Sequence, residues 1–177
     1  VVCTTDANHL RAVLRSSLDH PGAMYIRMGR GRDPEVYAEV PDITIGRAIR
    51  LREGSDLTII ATGAQVHAAL EAANTLVEDG IQTRVVDMHT IKPLDEAEIR
   101  AAAAETGAIL TVEEHNIIGG LGSAVAEVLV ECERVPFRRH GMPDEFALIG
   151  PPAGLYAHYR LDAPGVTAVA RELLGRG

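Results

Sequence analysis

From residue 43 onward, short apolar runs alternate with longer amphipathic segments. The runs at 57–61 and 108–112 are almost entirely aliphatic, which is typical of strands buried on both faces of a sheet. Further strands are predicted at 48–51, at 82–87 and near 137–140. Between the runs, apolar residues recur every three or four positions, as in the stripe of Val66, Ala69, Leu70, Ala73 and Leu76. The pattern predicts strands separated by single helices.

Capping residues set the limits of these helices. Gly80 suits the left-handed position that closes the first helix, and Asp95 caps a second helix that ends at Gly107. A third helix is predicted over 123–133 after a glycine-rich loop at 115–122, and a last one follows Asp162 with Pro164 at its first position.

The first 42 residues have a different organisation. Thr5 or Asp6 can cap a helix, and an apolar strand over 23–28 contains Arg27. The apolar stripe of the helix consists of Ala7, Leu10, Val13, Leu14 and Leu18. A charged, glycine-rich and proline-containing stretch then separates two folding units. The predicted division is 1–28, a linker over 29–42, and a larger unit over 43–177.

Single helices between strands favour right-handed crossovers. The predicted fold is therefore α/β with three layers, a mostly parallel sheet with helices on both faces and room for one antiparallel edge strand. Ligands of such sheets bind at the carboxyl ends of the strands. That edge is expected to carry Thr62, Gly63, Asp87, Met88, His89, Glu113, Glu114 and His115.

Composition narrows the function classes. The formal net charge of −8 argues against nucleic acid, because a phosphate-backbone binder needs a basic face. Two cysteines are too few for a disulfide framework or a zinc site, and they favour a reducing compartment. We see neither a membrane span nor a signal peptide, so we expect a soluble, cytoplasmic protein without membrane contact. The start on Val-Val-Cys without Met is expected of part of a longer polypeptide.

Two motifs have a chemical and a structural interpretation. The run GGLGS from Gly119 to Ser123 opens a helix, whose free amides could bind an anion, but it fits neither a dinucleotide fingerprint nor a Walker loop. A tight bend with close helix packing is favoured there. The run Glu113-Glu114-His115 could supply a general base, although a solvated or interface loop is favoured, and His89 is expected to be structural.

Arginines concentrate only around the end of the first unit. Arg30 and Arg32 are expected to be solvated in the linker. Arg27 differs, because a charge within an apolar strand is costly unless it is paired. It should have a partner, either a carboxylate or a ligand.

Together, these motifs resemble a known enzyme family. The runs VVDMHTIKPLD at 85–95 and EEH at 113–115, with the glycine loop at the expected spacing, resemble the C-terminal domain of the thiamine-diphosphate-dependent transketolase family. Asp6-Ala7-Asn8 and the strand ending in Arg27 look like the end of the preceding pyrimidine-binding domain. The run GMPDEF at 141–146 resembles the segment before the last helix of that family.

The resemblance implies part of an enzyme that moves two-carbon ketol units between sugar phosphates. Its thiamine diphosphate and Mg²⁺ would be bound by upstream domains or by a separate N-terminal subunit, since the family's diphosphate motif and activating glutamate are not encoded here. The chain alone is expected to be inactive, to bind no cofactor and to form a homodimer. Arg27 matches the family's substrate-phosphate arginine, while Thr4 and Thr5 depart from the family where a proline usually precedes Asp6.

Three alternatives stay open at this point. The same domain occurs in deoxyxylulose-phosphate synthases and in β-subunits of 2-oxo acid dehydrogenases. A protein of another class, a stand-alone α/β module that binds an anion at Gly119–Ser123, would also fit the pattern.

Overall fold

The computed structural model describes residues 1–29, 33–132 and 134–176, so Arg30 and Arg32 lie outside the described residues. The strands are β1 Val2–Cys3, β2 Ile26–Arg27, β3 Ile49–Arg52, β4 Leu57–Ala61, β5 Thr83–Asp87, β6 Ile109–Asn116 and β7 Phe137–Met142. The helices are α1 Ala7–Ser17, α2 Gln65–Leu76, α3 Glu96–Glu105, α4 Leu121–Leu129, α5 Pro152–His158 and α6 Ala163–Leu173. Within these residues, no helix is both long and apolar enough to cross a membrane.

Five strands form the main sheet in the order β3-β5-β4-β6-β7. β4 lies between β5 and β6 and is parallel to both, with Ala61 opposite Asp87 on one side and Val112 on the other. β7 is parallel to β6, whereas β3 runs antiparallel to β5 at the other edge. The mostly parallel sheet with one antiparallel edge strand is therefore confirmed.

Alternate residues of the buried strands face two separate cores, because successive side chains of a strand point to opposite faces. Ile59, Val85 and Leu110 pack with α2 and α6 on one face. Their chain neighbours Ile60 and Val86 pack with α3 and α4 on the other face. This arrangement confirms the three layers.

Aspartates begin three of the helices. Asp6, Asp95 and Asp162 each accept a hydrogen bond from the amide three residues further on, which satisfies a donor that the helix leaves free. Gly80 has the predicted left-handed backbone, with φ of 72°. Pro164 is the second residue of α6 and not the first, because the helix already begins at Ala163.

Several predicted boundaries are wrong. β6 continues to Asn116, so the run Glu113-Glu114-His115 lies in a strand and not in a loop. α4 begins at Leu121 and ends at Leu129, earlier at both ends than predicted. The strand predicted over 23–28 is limited to Ile26–Arg27, and α5 was not predicted at all, because it buries no residue and its sequence carries no apolar stripe.

The buried side of α1 is rotated away from its apolar stripe. Leu14 and Leu18 are exposed, while His9, Ala12 and Val13 are buried. The reason is that the His9 ring packs edge-on against the rings of Tyr37 and His89 beneath the helix.

β1 and β2 form a small parallel sheet that docks on the main sheet where β5 ends. The Cys3 amide donates to the His89 carbonyl over 2.8 Å, and the Ile91 amide donates to the Val1 carbonyl over 2.9 Å. The N-terminal unit is therefore attached through main-chain hydrogen bonds to the segment that follows β5.

Candidate functional site

A cleft of about 810 Å³ opens where the small sheet of β1 and β2 meets the carboxyl end of the main sheet. β2 contributes Arg27, the linker Asp33, α2 Gln65, β6 Glu114 and α5 Tyr156. Apart from the linker residue, these side chains come from one strand of the small sheet and three elements of the larger unit. Of the residues predicted along the carboxyl edge of the sheet, Glu114 is the one that lines this cleft.

Arg27 and Glu114 form an ion pair at the centre of this cleft. Nη1 of Arg27 donates to Oε1 of Glu114 over 2.5 Å, and the hydroxyl of Tyr156 donates to Oε2 of the same carboxylate, also over 2.5 Å. Nη1 of Arg27 also lies 3.7 Å from the sulfur of Cys3. The partner that the sequence required for Arg27 is therefore a carboxylate, supplied by a residue 87 positions away.

The pKa values of this group follow from burial and from the shared carboxylate. Burial alone would lower the pKa of Arg27, but its contacts with Cys3 and Glu114 outweigh that effect and raise it. Burial and the hydrogen bond to Glu114 both raise the pKa of Tyr156. Arg27 is thus cationic and Tyr156 a neutral hydrogen-bond donor across the physiological pH range.

One edge of the Arg27 guanidinium is not used by the described residues. Its side chain is 33% exposed, and Nε and Nη2 have no hydrogen-bond partner among those residues. A planar guanidinium with a free edge can bind two oxygens of one phosphate or carboxylate group. The free edge of Arg27 is therefore a candidate contact for an anion in the cleft.

The sequence predicts Glu114 at this edge of the sheet, but it does not single out Gln65 or Tyr156. Glu114 was expected in a solvated or interface loop, and Tyr156 lies on the helix that was not predicted. Gln65 begins α2, is 1% exposed, and its Oε1 has no partner among the described residues.

The side chain of Glu113 binds the start of α4, directly after the glycines at 119 and 120. Its carboxylate is fully buried and accepts hydrogen bonds from the amides of Leu121, over 2.6 Å, and Gly122, over 2.9 Å, at the start of α4. Nδ1 of His115 lies 2.7 Å from the same carboxylate. Because a protein carboxylate already occupies these amides, the alternative of an anion site at Gly119–Ser123 is wrong.

The described residues do not fit a metal-bound diphosphate. No group of three or more His, Cys, Asp and Glu side chains among them is arranged to hold a metal ion. The glycine-rich helix start that could have received a phosphate is filled by Glu113.

A second polar cluster lies below the cleft, around the fully buried Asp87. Oδ2 of Asp87 accepts hydrogen bonds from the hydroxyls of Thr5, over 2.6 Å, and Tyr37, over 2.8 Å, and lies 3.4 Å from Nδ1 of His9. His89 is buried and hydrogen-bonded through Nδ1 to Thr90, but its Nε2 has no partner among the described residues. The cluster joins residues of the N-terminal unit, the linker and β5.

Burial controls ionisation in this second cluster. It raises the pKa of Asp87 to about 7 and lowers the pKa values of His9 and His89 to about 4. Near neutral pH both imidazoles are therefore uncharged, and Asp87 keeps its proton to a higher pH than an ordinary carboxyl.

Replacing Asp87 by Asn should change how stability depends on pH. The raised pKa stabilises the folded protein below the ordinary carboxyl pKa of 3.8, and that contribution is lost as the pH rises through about 7. Asn cannot ionise, so the variant should gain stability relative to the wild type between pH 5 and 8. We expect a gain of about 2 to 4 kcal/mol, since one pKa unit is about 1.4 kcal/mol.

Urea unfolding at pH 5, 6, 7 and 8 measures this difference, with Asp19→Asn at the exposed end of α1 as the matched control. His89 titrates in both proteins, whereas the His9 ring lies 3.4 Å from the replaced carboxylate, so its titration contributes to the measured difference. Parallel stability curves for the Asp87 variant and the wild type would contradict the raised pKa of the buried carboxyl.

Comparisons with known proteins bear on the whole chain. Residues 46–166 match the family model of the transketolase C-terminal domain. The chain is 44% identical to one of the subunits of the apulose-4-phosphate transketolase of Phocaeicola vulgatus, over 98% of this chain and 56% of that protein. It is 42% identical to the SqwH subunit of the 6-deoxy-6-sulfo-D-fructose transketolase of a Clostridium species, over 97% of this chain and 53% of that protein. The chain thus spans about half the length of these relatives.

Solved structures agree with the sequence relatives. A structure described as a split gene transketolase, inactive beta4 tetramer, matches 98% of this chain and 57% of its own, with 41% identity and a TM-score of 0.93. A transketolase mutant from Pichia stipitis matches 98% of this chain and 25% of its own, with a TM-score of 0.78. At 19% identity, the second match concerns the fold alone.

Proposed function

Because the chain belongs to the transketolase C-terminal domain family, we propose that it is the C-terminal portion of a transketolase-like enzyme that transfers two-carbon ketol units between sugar phosphates. Two relatives named as transketolase subunits support this proposal, since each matches nearly all of the chain. In this proposal residues 1–28 end the pyrimidine-binding domain, 29–42 form the linker and 43–177 form the C-terminal domain.

The complete enzyme needs a partner in this proposal. Thiamine diphosphate and Mg²⁺ are bound by a separate N-terminal subunit or by upstream domains, because the described residues do not fit them. The cofactor supplies the carbanion chemistry, while this chain contributes structure and a contact for the substrate. A homodimer is also proposed, supported by the exposed Leu14 and Leu18 on α1.

The position of Arg27 is the observation that supports a substrate contact in this cleft. Its guanidinium lies at the cleft between the two units, paired on one side and open on the other. We propose that this open edge binds the phosphate of the sugar substrate. A planar guanidinium can bind two oxygens of a phosphate dianion through two parallel hydrogen bonds.

Deoxyxylulose-phosphate synthase is the second candidate function. The chain is 44% identical to the 1-deoxy-D-xylulose-5-phosphate synthase of Heliobacterium modesticaldum, over 95% of this chain but only 26% of that protein. The chain covers a smaller share of this synthase than of the transketolase subunits, so we rank this function second to a split transketolase.

The test combines the polypeptide that contains this chain with its thiamine-binding partner, in the presence of thiamine diphosphate and Mg²⁺. We expect ketol transfer from a ketose phosphate to an aldose phosphate by the mixture. The chain alone should be inactive and should show no heat of thiamine diphosphate binding in calorimetry.

Two results would contradict the proposal. Formation of deoxyxylulose phosphate in place of ketol transfer would favour the second candidate. Micromolar, Mg²⁺-dependent binding of thiamine diphosphate by this chain alone would show that it contains a cofactor site of its own.

A further inference from the structure

The larger unit supplies two side chains to the Arg27 site. Glu114 lies on β6 and Tyr156 on α5, whereas Arg27 belongs to the small sheet of the N-terminal unit. Both oxygens of the Glu114 carboxylate are used, Oε1 by Arg27 and Oε2 by Tyr156. Its side chain is only 14% exposed, so water competes little for these contacts.

These contacts hold the guanidinium of Arg27 through one nitrogen, Nη1. Nη1 of Arg27 is held by Glu114 and lies beside the sulfur of Cys3, while Nε and Nη2 have no partner in the described part of the chain. A side chain with several rotatable bonds loses conformational freedom when it grips a ligand, and the loss is smaller when the group is already held in place. Glu114 therefore leaves the opposite edge of the guanidinium ready for a bidentate anion.

We propose that Glu114 is a positioning residue for substrate phosphate, that Tyr156 holds Glu114 in place, and that the C-terminal unit thereby takes part in substrate recognition. This inference rests on the phosphate-binding role of Arg27 in the proposed function. It extends the role of the chain beyond structure, because β6 and α5 would determine how well Arg27 discriminates phosphorylated from unphosphorylated sugars.

The negative charge of Glu114 weakens phosphate binding, whereas its hydrogen bond to Arg27 favours it. A carboxylate beside Arg27 repels an incoming phosphate dianion, since like charges close together in a cleft interact strongly. Gln keeps an acceptor oxygen for Nη1 without this repulsion, whereas Ala removes both the acceptor and the charge. The pair of substitutions therefore separates positioning from charge.

The experiment compares Glu114→Ala, Glu114→Gln and Tyr156→Phe in the complete polypeptide with its partner. KM and kcat are measured for a phosphorylated and an unphosphorylated sugar, and binding of inorganic phosphate is measured separately by calorimetry. Glu71→Ala is the matched control, because Glu71 lines the same cleft with the same charge and makes no hydrogen bond to Arg27.

We expect Glu114→Ala to raise KM for the phosphorylated sugar about tenfold, the equivalent of one charge-assisted contact of about 1.4 kcal/mol, with kcat nearly unchanged. Tyr156→Phe should raise it about threefold, since one hydrogen bond to the carboxylate is lost. Glu114→Gln should bind phosphate at least as tightly as the wild type. KM for the unphosphorylated sugar should not change, and Glu71→Ala should resemble the wild type.

Three outcomes would overturn the inference. They are an unchanged KM in Glu114→Ala, an equal loss in Glu114→Gln and Glu114→Ala, or an equal loss in Glu71→Ala. Its failure is distinguishable from failure of the proposed function. If no ketol transfer occurs but inorganic phosphate binding follows the expected order, the function is wrong and the positioning role stands. If the enzyme is active and the Glu114 variants match the wild type, only the positioning role is wrong.

Discussion

Replacing Arg27 by Ala should lower kcat/KM of the complete enzyme for a phosphorylated sugar by about ten- to a hundredfold. The substitution removes a charge-assisted contact of roughly 1.5 to 3 kcal/mol, at about 1.4 kcal/mol per factor of ten. Arg27→Lys should recover only part of the loss, because an ammonium lacks the planar fork of the guanidinium.

The ion pair with Glu114 makes the unphosphorylated sugar the essential control for this prediction. Removing Arg27 leaves a largely buried carboxylate unpaired, which destabilises the protein whatever the substrate. A loss limited to the phosphorylated sugar reports the phosphate contact, and Arg11→Ala on the exposed side of α1 controls for the net charge. Equal losses for both sugars would mean that Arg27 is only a partner for Glu114.

Replacing Glu113 by Ala should have the largest effect on stability. It leaves the amides of Leu121 and Gly122 buried without acceptors at the start of α4, and each such donor costs about 1 to 3 kcal/mol. For a chain of this length, a loss of about 3 to 5 kcal/mol lowers Tm by roughly 6 to 20 °C. Glu113→Gln keeps one acceptor oxygen and should lose about half as much.

Thermal unfolding followed by circular dichroism measures this effect. Glu127→Ala is the matched control, because Glu127 lies on the exposed side of the same helix. A decrease in Tm no larger than that of the control would exclude Glu113 as the residue that holds the start of α4.

The layers of the fold could be predicted because each depends on local pattern. The aliphatic runs that form β4 and β6 have apolar side chains on both faces of the strand. Such strands are buried only in a sheet that is covered on both faces. Asp95 could be identified as a cap, because an aspartate directly before an apolar stripe is typical of a helix N-terminus. The parallel order then followed from the helices between the strands.

The candidate site could be predicted only in part, because its contacts join residues far apart in the chain. Arg27 was identified as a charge that needs a partner, but nothing local to residue 27 indicates a glutamate 87 positions later. Glu113 was misjudged for a related reason. A glutamate is rarely buried, and its true partners are amides eight and nine residues further on, which have no side-chain signature.

The docking of β1 on the segment that follows β5 also determines which parts of this protein could be exchanged with a relative. The contacts of Val1 and Cys3 with residues 89–92 are made by main-chain atoms, so almost any sequence can reproduce them. The contacts of Asp87 with Thr5 and Tyr37 depend on side chains. A chimera that joins the N-terminal unit of one family member to the sheet of another must therefore carry these three residues as a matched set.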